Sequence, residues 1–269
     1  MKKILFIILL IPYLAWPQQI NFKKAVDIGG YKINLLEELA PVPTKRWLLM
    51  FLGTGELGPA DGSQIMDLDN YGYQKFPTFK TDFNILVPQA VKGYGELDPY
   101  IQDYMIRTYG SDIEIVMAGH SLGARNVMEY TYAYNGIKAV PQVVGFLPVA
   151  GEMSWPLPLD WCITSPKPIM AVAGDQDKSI GYVQSQKYVD AVNSCVTRAN
   201  KAVARIIPGL NHTSIMDYVF KPDKEAEGYK FIMSCFTPEQ KEVPGKIILI
   251  NGEIRAVFED GSTRVIESH

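Results

Sequence analysis

Ile113-Glu114-Ile115-Val116-Met117-Ala118-Gly119-His120-Ser121-Leu122-Gly123-Ala124 is the stretch on which the fold is decided. Its first six residues form an almost continuous apolar run, as expected of a strand buried on both faces of a parallel sheet. Gly119-His120-Ser121-Leu122-Gly123 follows directly, and residues 124–134 then read as a helix. Gly-x-Ser-x-Gly between a strand and a helix describes a turn so sharp that its serine takes strained backbone angles. Small residues on either side keep such a turn free of clashes. The turn lifts the Ser121 hydroxyl clear of the sheet. It also sets the Leu122 N–H at a helix N-terminus, facing any negative charge that develops on a bound carbonyl.

Apolar runs of the same kind recur at Trp47 to Leu52, Phe83 to Pro88, Val143 to Leu147 and Ile169 to Ala173, with a weaker one at Ala202 to Ile207. Segments 98–109, 124–134 and 181–197 between them are helix-like. Strands and helices alternating at this spacing predict βαβ units, hence an α/β domain with a mainly parallel central sheet flanked by helices. Functional sites in such sheets lie at the carboxyl ends of the strands. Ahead of this region, residues 20–35 alternate around Gly29-Gly30 and read as a hairpin, Ala25 to Ile28 against Tyr31 to Leu35. After it, residues 246–266 read as a small β-meander turning at Asn251-Gly252 and Asp260-Gly261. So short a meander is marginal alone and is expected to pack on the main domain or a partner.

A serine nucleophile needs a base, and the chain has three histidines. His120 lies inside the turn, where its side chain is not expected to point at the neighbouring hydroxyl. His269 is the final residue and is set aside as frayed. His212, in Pro208-Gly209-Leu210-Asn211-His212, follows the last sheet strand and completes the chain order serine, acid, histidine. The acid is sought after strand 169–173, in Gly174-Asp175-Gln176-Asp177. Asp177, three beyond the glycine, is favoured; Asp175 is the alternative, with the habit of Asp of accepting from backbone N–H groups in turns. A second oxyanion donor is expected from Leu52-Gly53-Thr54-Gly55-Glu56-Leu57-Gly58, with the Thr54 amide first and the Gly55 amide second. Trp155 and Trp161 lie in a proline-rich stretch, 151–167, that reads as an aromatic wall over the site or as core packing. Gly55, Trp155, Trp161 and Tyr94, the last following strand 83–88, are the candidate substrate contacts.

Composition narrows the partners. The chain has 269 residues, 47% hydrophobic and 20% charged, with a net charge of −3, which is ordinary globular usage. No long basic run is present, so a nucleic-acid partner is not expected. Met1-Lys2-Lys3, the apolar run Ile4 to Trp16 and the break at Pro17-Gln18-Gln19 form a secretory signal pattern, too short to span a bilayer comfortably. The expected division is 1–19 signal peptide, 20–240 main domain and 241–269 C-terminal appendage, with export to the periplasm or beyond. Cys162, Cys195 and Cys235 then allow one disulfide and one thiol, the pairing left open. No His-Glu-x-x-His occurs, and Asp61, Asp67 and Asp69 lack EF-hand spacing and read as a solvated loop, so no metal or cofactor is expected.

Phe51-Leu52-Gly53-Thr54-Gly55-Glu56-Leu57-Gly58, Val87-Pro88-Gln89, Gly119 to Gly123, Gly174 to Asp177 and Gly209-Leu210-Asn211-His212-Thr213-Ser214 together resemble the α/β-hydrolase superfamily. More narrowly they are similar to its esterase and "predicted peptidase" branch, with feruloyl-esterase-like and dienelactone-hydrolase-like members. The resemblance runs from about residue 45 to 220 and leaves out the C-terminal meander. It implies the α/β-hydrolase fold and two-step acyl transfer by a serine hydrolase, foremost a carboxylesterase. Ser121, His212 and Asp177 would form the triad, with the Leu122 and Thr54 amides as oxyanion hole. Its substrate would be a small-molecule, glycan-linked or polymer-linked ester. One departure is Leu52, where that branch usually carries a histidine that steadies the oxyanion loop; this bears on the loop's geometry but leaves its backbone donors in place. An arginine that the branch often has near Leu57 is also missing. A peptidase or amidase would use the same triad, and a hydrolase-like binding protein docking through 246–266 is the non-enzymatic alternative.

Overall fold

Successive side chains of a strand leave on opposite faces of the sheet, and that period of two decides how the layers of this protein assemble. The structure is a computed structural model that describes residues 19–56, 58, 82–89, 94, 97–133, 141–153, 167–195, 200–221, 223–237, 246–250, 253–257 and 263–268. The chain forms two compact units, Met1–Phe236 and Thr237–His269.

The first unit opens with β1 (Gln19–Ile28) and β2 (Tyr31–Leu39), an antiparallel hairpin. Both turn residues, Gly29 and Gly30, have positive φ, 62° and 89°, which explains two consecutive glycines there. Then come β3 (Arg46–Phe51), β4 (Asn84–Gln89), α1 (Asp98–Tyr109), β5 (Glu114–His120), α2 (Leu122–Ala133), β6 (Val143–Val149), β7 (Met170–Gly174), α3 (Val183–Asn193), β8 (Val203–Ile207), α4 (Ser214–Val219) and α5 (Glu227–Cys235). The eight-stranded sheet has the order β1-β2-β4-β3-β5-β6-β7-β8. From β4 to β8 every pairing is parallel; β2 joins β4 antiparallel. The mainly parallel sheet expected from the apolar runs is therefore present. Helix α5 is not among the helix-like segments of the sequence.

On β3, Trp47, Leu49 and Phe51 join one core with Ile101 and Met105 of α1, Val127 and Met128 of α2, and Tyr188 and Val192 of α3. Leu48 and Met50 join the other, with Ile215 and Val219 of α4 and Ile232 of α5. Each fully buried side chain of this kind contributes roughly 1.5–3 kcal/mol. Because both faces are covered, the central strands read as unbroken apolar runs. Edge strand β8 keeps its side chains exposed or half-buried, which is why its run is weaker.

The second unit contains β9 (Lys246–Ile250), β10 (Glu253–Val257) and β11 (Thr263–Ser268), antiparallel in the order β11-β10-β9. Cys195 is disulfide-bonded and Cys235 is a free thiol. Cys162 and the leader 1–18 lie outside the described residues. Among the described residues no helix is long and apolar enough to cross a membrane.

Candidate active site

Strand β5 is central in the sheet, and its carboxyl end runs straight into α2 through Ser121. Ser121 has φ +53°, a left-handed conformation that costs an L-residue of this kind about 1–2 kcal/mol. The turn is held from both sides: the Ser121 N–H donates to the Val149 carbonyl at 3.0 Å, and its own carbonyl accepts from Arg125 N–H at 2.9 Å. The flanking glycines are needed for space. A Cβ on Gly119 would lie 2.4 Å from the Gly123 backbone, and one on Gly123 would lie 2.2 Å from the Phe51 carbonyl oxygen. The start of α2 thus rests directly on the end of β3.

His212 lies in the loop between β8 and α4. Its Nε2 is 2.9 Å from Ser121 Oγ, and its Nδ1 is 2.8 Å from Asp177 Oδ2. The Asp177 side chain is only 1% exposed, whereas His212 is 22% exposed. Burial by itself would raise the Asp177 carboxyl. Hydrogen bonds from His212, Ile180 N–H and Ser179 N–H outweigh that and hold it below the usual carboxylate range. An ionised carboxylate only accepts, so His212 Nδ1 carries the proton and donates. In neutral His212, Nε2 then presents its lone pair to the Ser121 hydroxyl. A proton can pass from oxygen to imidazole while Asp177 stabilises the resulting cation.

Sequence alone left two carboxylates for this position. The structure separates them: Asp175 is exposed and accepts from Gly209 N–H at 2.7 Å, while Asp177 reaches the imidazole. Asp175 therefore ties the two loops together through backbone, aided by Gln176 N–H donating to the Leu210 carbonyl at 3.0 Å. Asn211 Oδ1 accepts from Thr213 and Ser214 N–H, a side-chain turn that leads into α4 beside the imidazole.

Leu122 is the first residue of α2, so its N–H has no intrahelical acceptor. Thr54 and Gly55 are exposed in a 3-10 turn, Thr54–Glu56, past the end of β3. Strand β3 pairs in parallel with β5 up to Phe51 opposite Gly119, so this turn and the serine leave the carboxyl end of the sheet side by side. A Cβ added to Gly55 would meet nothing within 4 Å.

Tyr94 does not belong among the substrate contacts. It is 2% exposed and packs edge-on against Phe51, ring centroids 4.9 Å apart. Its hydroxyl accepts from Leu52 N–H and donates to the Pro88 carbonyl, each at 3.2 Å. Its hydroxyl therefore bridges Leu52, the residue after β3, to Pro88 of β4 at the start of the Gly53-Thr54-Gly55 loop. That loop carries no histidine side chain, and the buried tyrosine holds its first residue through Leu52 N–H; sequence shows the residue but not which way it faces. Trp155 and Trp161 lie outside the described residues. Among the described residues no group of three or more His, Cys, Asp or Glu is arranged to hold a metal ion.

The sheet order, the flanking helices and the strand–serine–helix turn define the α/β-hydrolase fold. No family model and no curated protein sequence matches the chain. Solved structures do. A thermostable esterase superposes with a TM-score of 0.57 at 11% identity, over 81% of this chain and 62% of its own. An arylesterase gives 0.52 at 11%, over 82% of this chain and 86% of its own. An acylaminoacyl peptidase from Pyrococcus horikoshii gives 0.52 at 10%, over 81% of this chain and 40% of its own. This chain thus spans about three fifths of the first of these and less than half of the last. At such identity the likeness is one of fold.

Proposed function

We propose that this protein is an exported serine hydrolase, foremost a carboxylesterase. The observation that carries the reading is the continuous Asp177–His212–Ser121 hydrogen-bonded chain, with the serine on a left-handed turn at a helix N-terminus. In the proposed reaction His212 Nε2 takes the hydroxyl proton as Ser121 Oγ attacks an ester carbonyl. The Leu122 and Thr54 amides receive the oxyanion. The imidazolium then gives its proton to the departing alcohol, and water, activated by His212, releases the acid and restores the serine. Loss of one oxyanion donor typically lowers turnover by on the order of a hundredfold or more. Gly55, open to solvent, is proposed to border the bound ester. Export is supported by the Met1 to Gln19 pattern and by the disulfide at Cys195, a bond that persists in oxidising compartments.

The same groups can cleave an amide, and structures of both esterases and a peptidase share the fold. The test is direct. Wild type is expected to label with a fluorophosphonate probe and hydrolyse p-nitrophenyl acetate, and Ser121→Ala to do neither while keeping its circular dichroism. Unchanged hydrolysis by Ser121→Ala removes the nucleophile assignment. A wild type that never labels favours a binding role. Acetylated and feruloylated sugars set against peptide substrates decide between ester and amide.

A further inference from the structure

His120 has no part in the proton transfers above, yet it is 2% exposed and lies against His212, with ring centroids 4.8 Å apart. Its Nε2 is 2.8 Å from the His212 carbonyl oxygen. A carbonyl only accepts, so Nε2 carries the proton and Nδ1 holds a lone pair. That Nδ1 is buried, with no hydrogen-bond partner among the described residues. Burial is the main influence on the ring and lowers its pKa; the bond to the His212 carbonyl opposes this, and the pKa settles at about 4. His120 is therefore neutral at ordinary pH. It puts no second positive charge beside His212 when that ring is protonated during the reaction.

The two nitrogens of the His212 ring are taken by Asp177 and Ser121. Where the ring starts from is set by the His212 main chain, and His120 holds that main chain. We propose that His120 is a positioning residue that registers the base against the nucleophile. Ser121 and His212 are 91 residues apart in sequence. The hydrogen bond from His120 carries the base's backbone on the residue immediately before the nucleophile, so the two move as one. The proposal rests on the Ser121–His212 assignment. It differs from a buried histidine that merely satisfies a carbonyl, because loss of registry lowers turnover rather than stability alone.

The experiment uses the full chain, p-nitrophenyl acetate and a fluorophosphonate probe. A wild type silent in both assays overturns the hydrolase reading and this proposal with it; an active wild type isolates His120. In H120L the donor is gone, and kcat is expected to fall roughly tenfold to a hundredfold, as for small misplacements of reacting groups. KM should stay within about twofold, because substrate binding is not touched. H120Q places an amide N–H near the Nε2 position and should recover most of the lost kcat. H120N carries its amide one bond too short and should not. Wild-type kcat in H120L overturns the proposal. Should H120L fail to fold, the remaining pair still decides: equal kcat in H120Q and H120N overturns it.

Discussion

Acidification from pH 7 to pH 5 protonates an ordinary histidine in an unfolded chain but leaves His120 neutral in the folded one. The unfolded value is about 6.5, against about 4 in the fold, where burial dominates. Above pH 6.5 the residue is neutral in both states and its contribution to stability is fully present. Between pH 6.5 and 4 the unfolded chain binds a proton that the folded chain refuses, so stability falls as pH falls. Below pH 4 both states are charged and the loss levels off. The whole gap corresponds to about 3 kcal/mol, of which about 2 kcal/mol is already gone at pH 5. Asp177, held below the usual carboxylate range, loses its stabilising share only at lower pH, as its folded carboxylate protonates. The assay is urea unfolding at pH 7 and pH 5 for wild type and His120→Gln, which keeps a donor but cannot titrate. With a urea dependence on the order of 2 kcal/mol per molar, the wild-type midpoint should drop roughly 1 M more than that of the variant. Equal drops in the two proteins would refute the reasoning, since His120 would then not be kept neutral by the fold.

Tyr94→Phe keeps the ring against Phe51 but strips the acceptor from Leu52 N–H, a loss of about 1–3 kcal/mol. Differential scanning should find Tm lower by roughly 2–4 °C per kcal/mol for a chain of this size, and an unchanged Tm would deny the anchoring role. Asp177→Asn should lower kcat by on the order of a thousandfold or more, since the amide no longer holds the His212 tautomer. Asp175→Asn keeps an acceptor for Gly209 N–H and should retain most activity; the reverse ranking in a p-nitrophenyl acetate assay would reassign the acid.

Much of this molecule is written in short-range pattern. Two-sided burial makes β3 to β7 read as apolar runs, and a turn that tolerates no Cβ at Gly119 or Gly123 leaves a glycine-framed serine in the sequence. Scarcity narrowed the candidate for a base to His212. These features are local, or follow from a count, so one chain's sequence suffices for them. Tertiary structure decided what depends on direction. Asp175 and Asp177 are two residues apart and chemically identical, and only the approach of the β8–α4 loop tells which meets the imidazole. Tyr94 is an aromatic residue after a strand in either reading, but its hydroxyl turns inward to Leu52 and Pro88 instead of outward to a substrate. His120 sits beside Ser121 in sequence, yet its partner is a carbonyl 92 residues away. No periodicity encodes such contacts, because each is set by where segments far apart in sequence meet at the carboxyl end of the sheet.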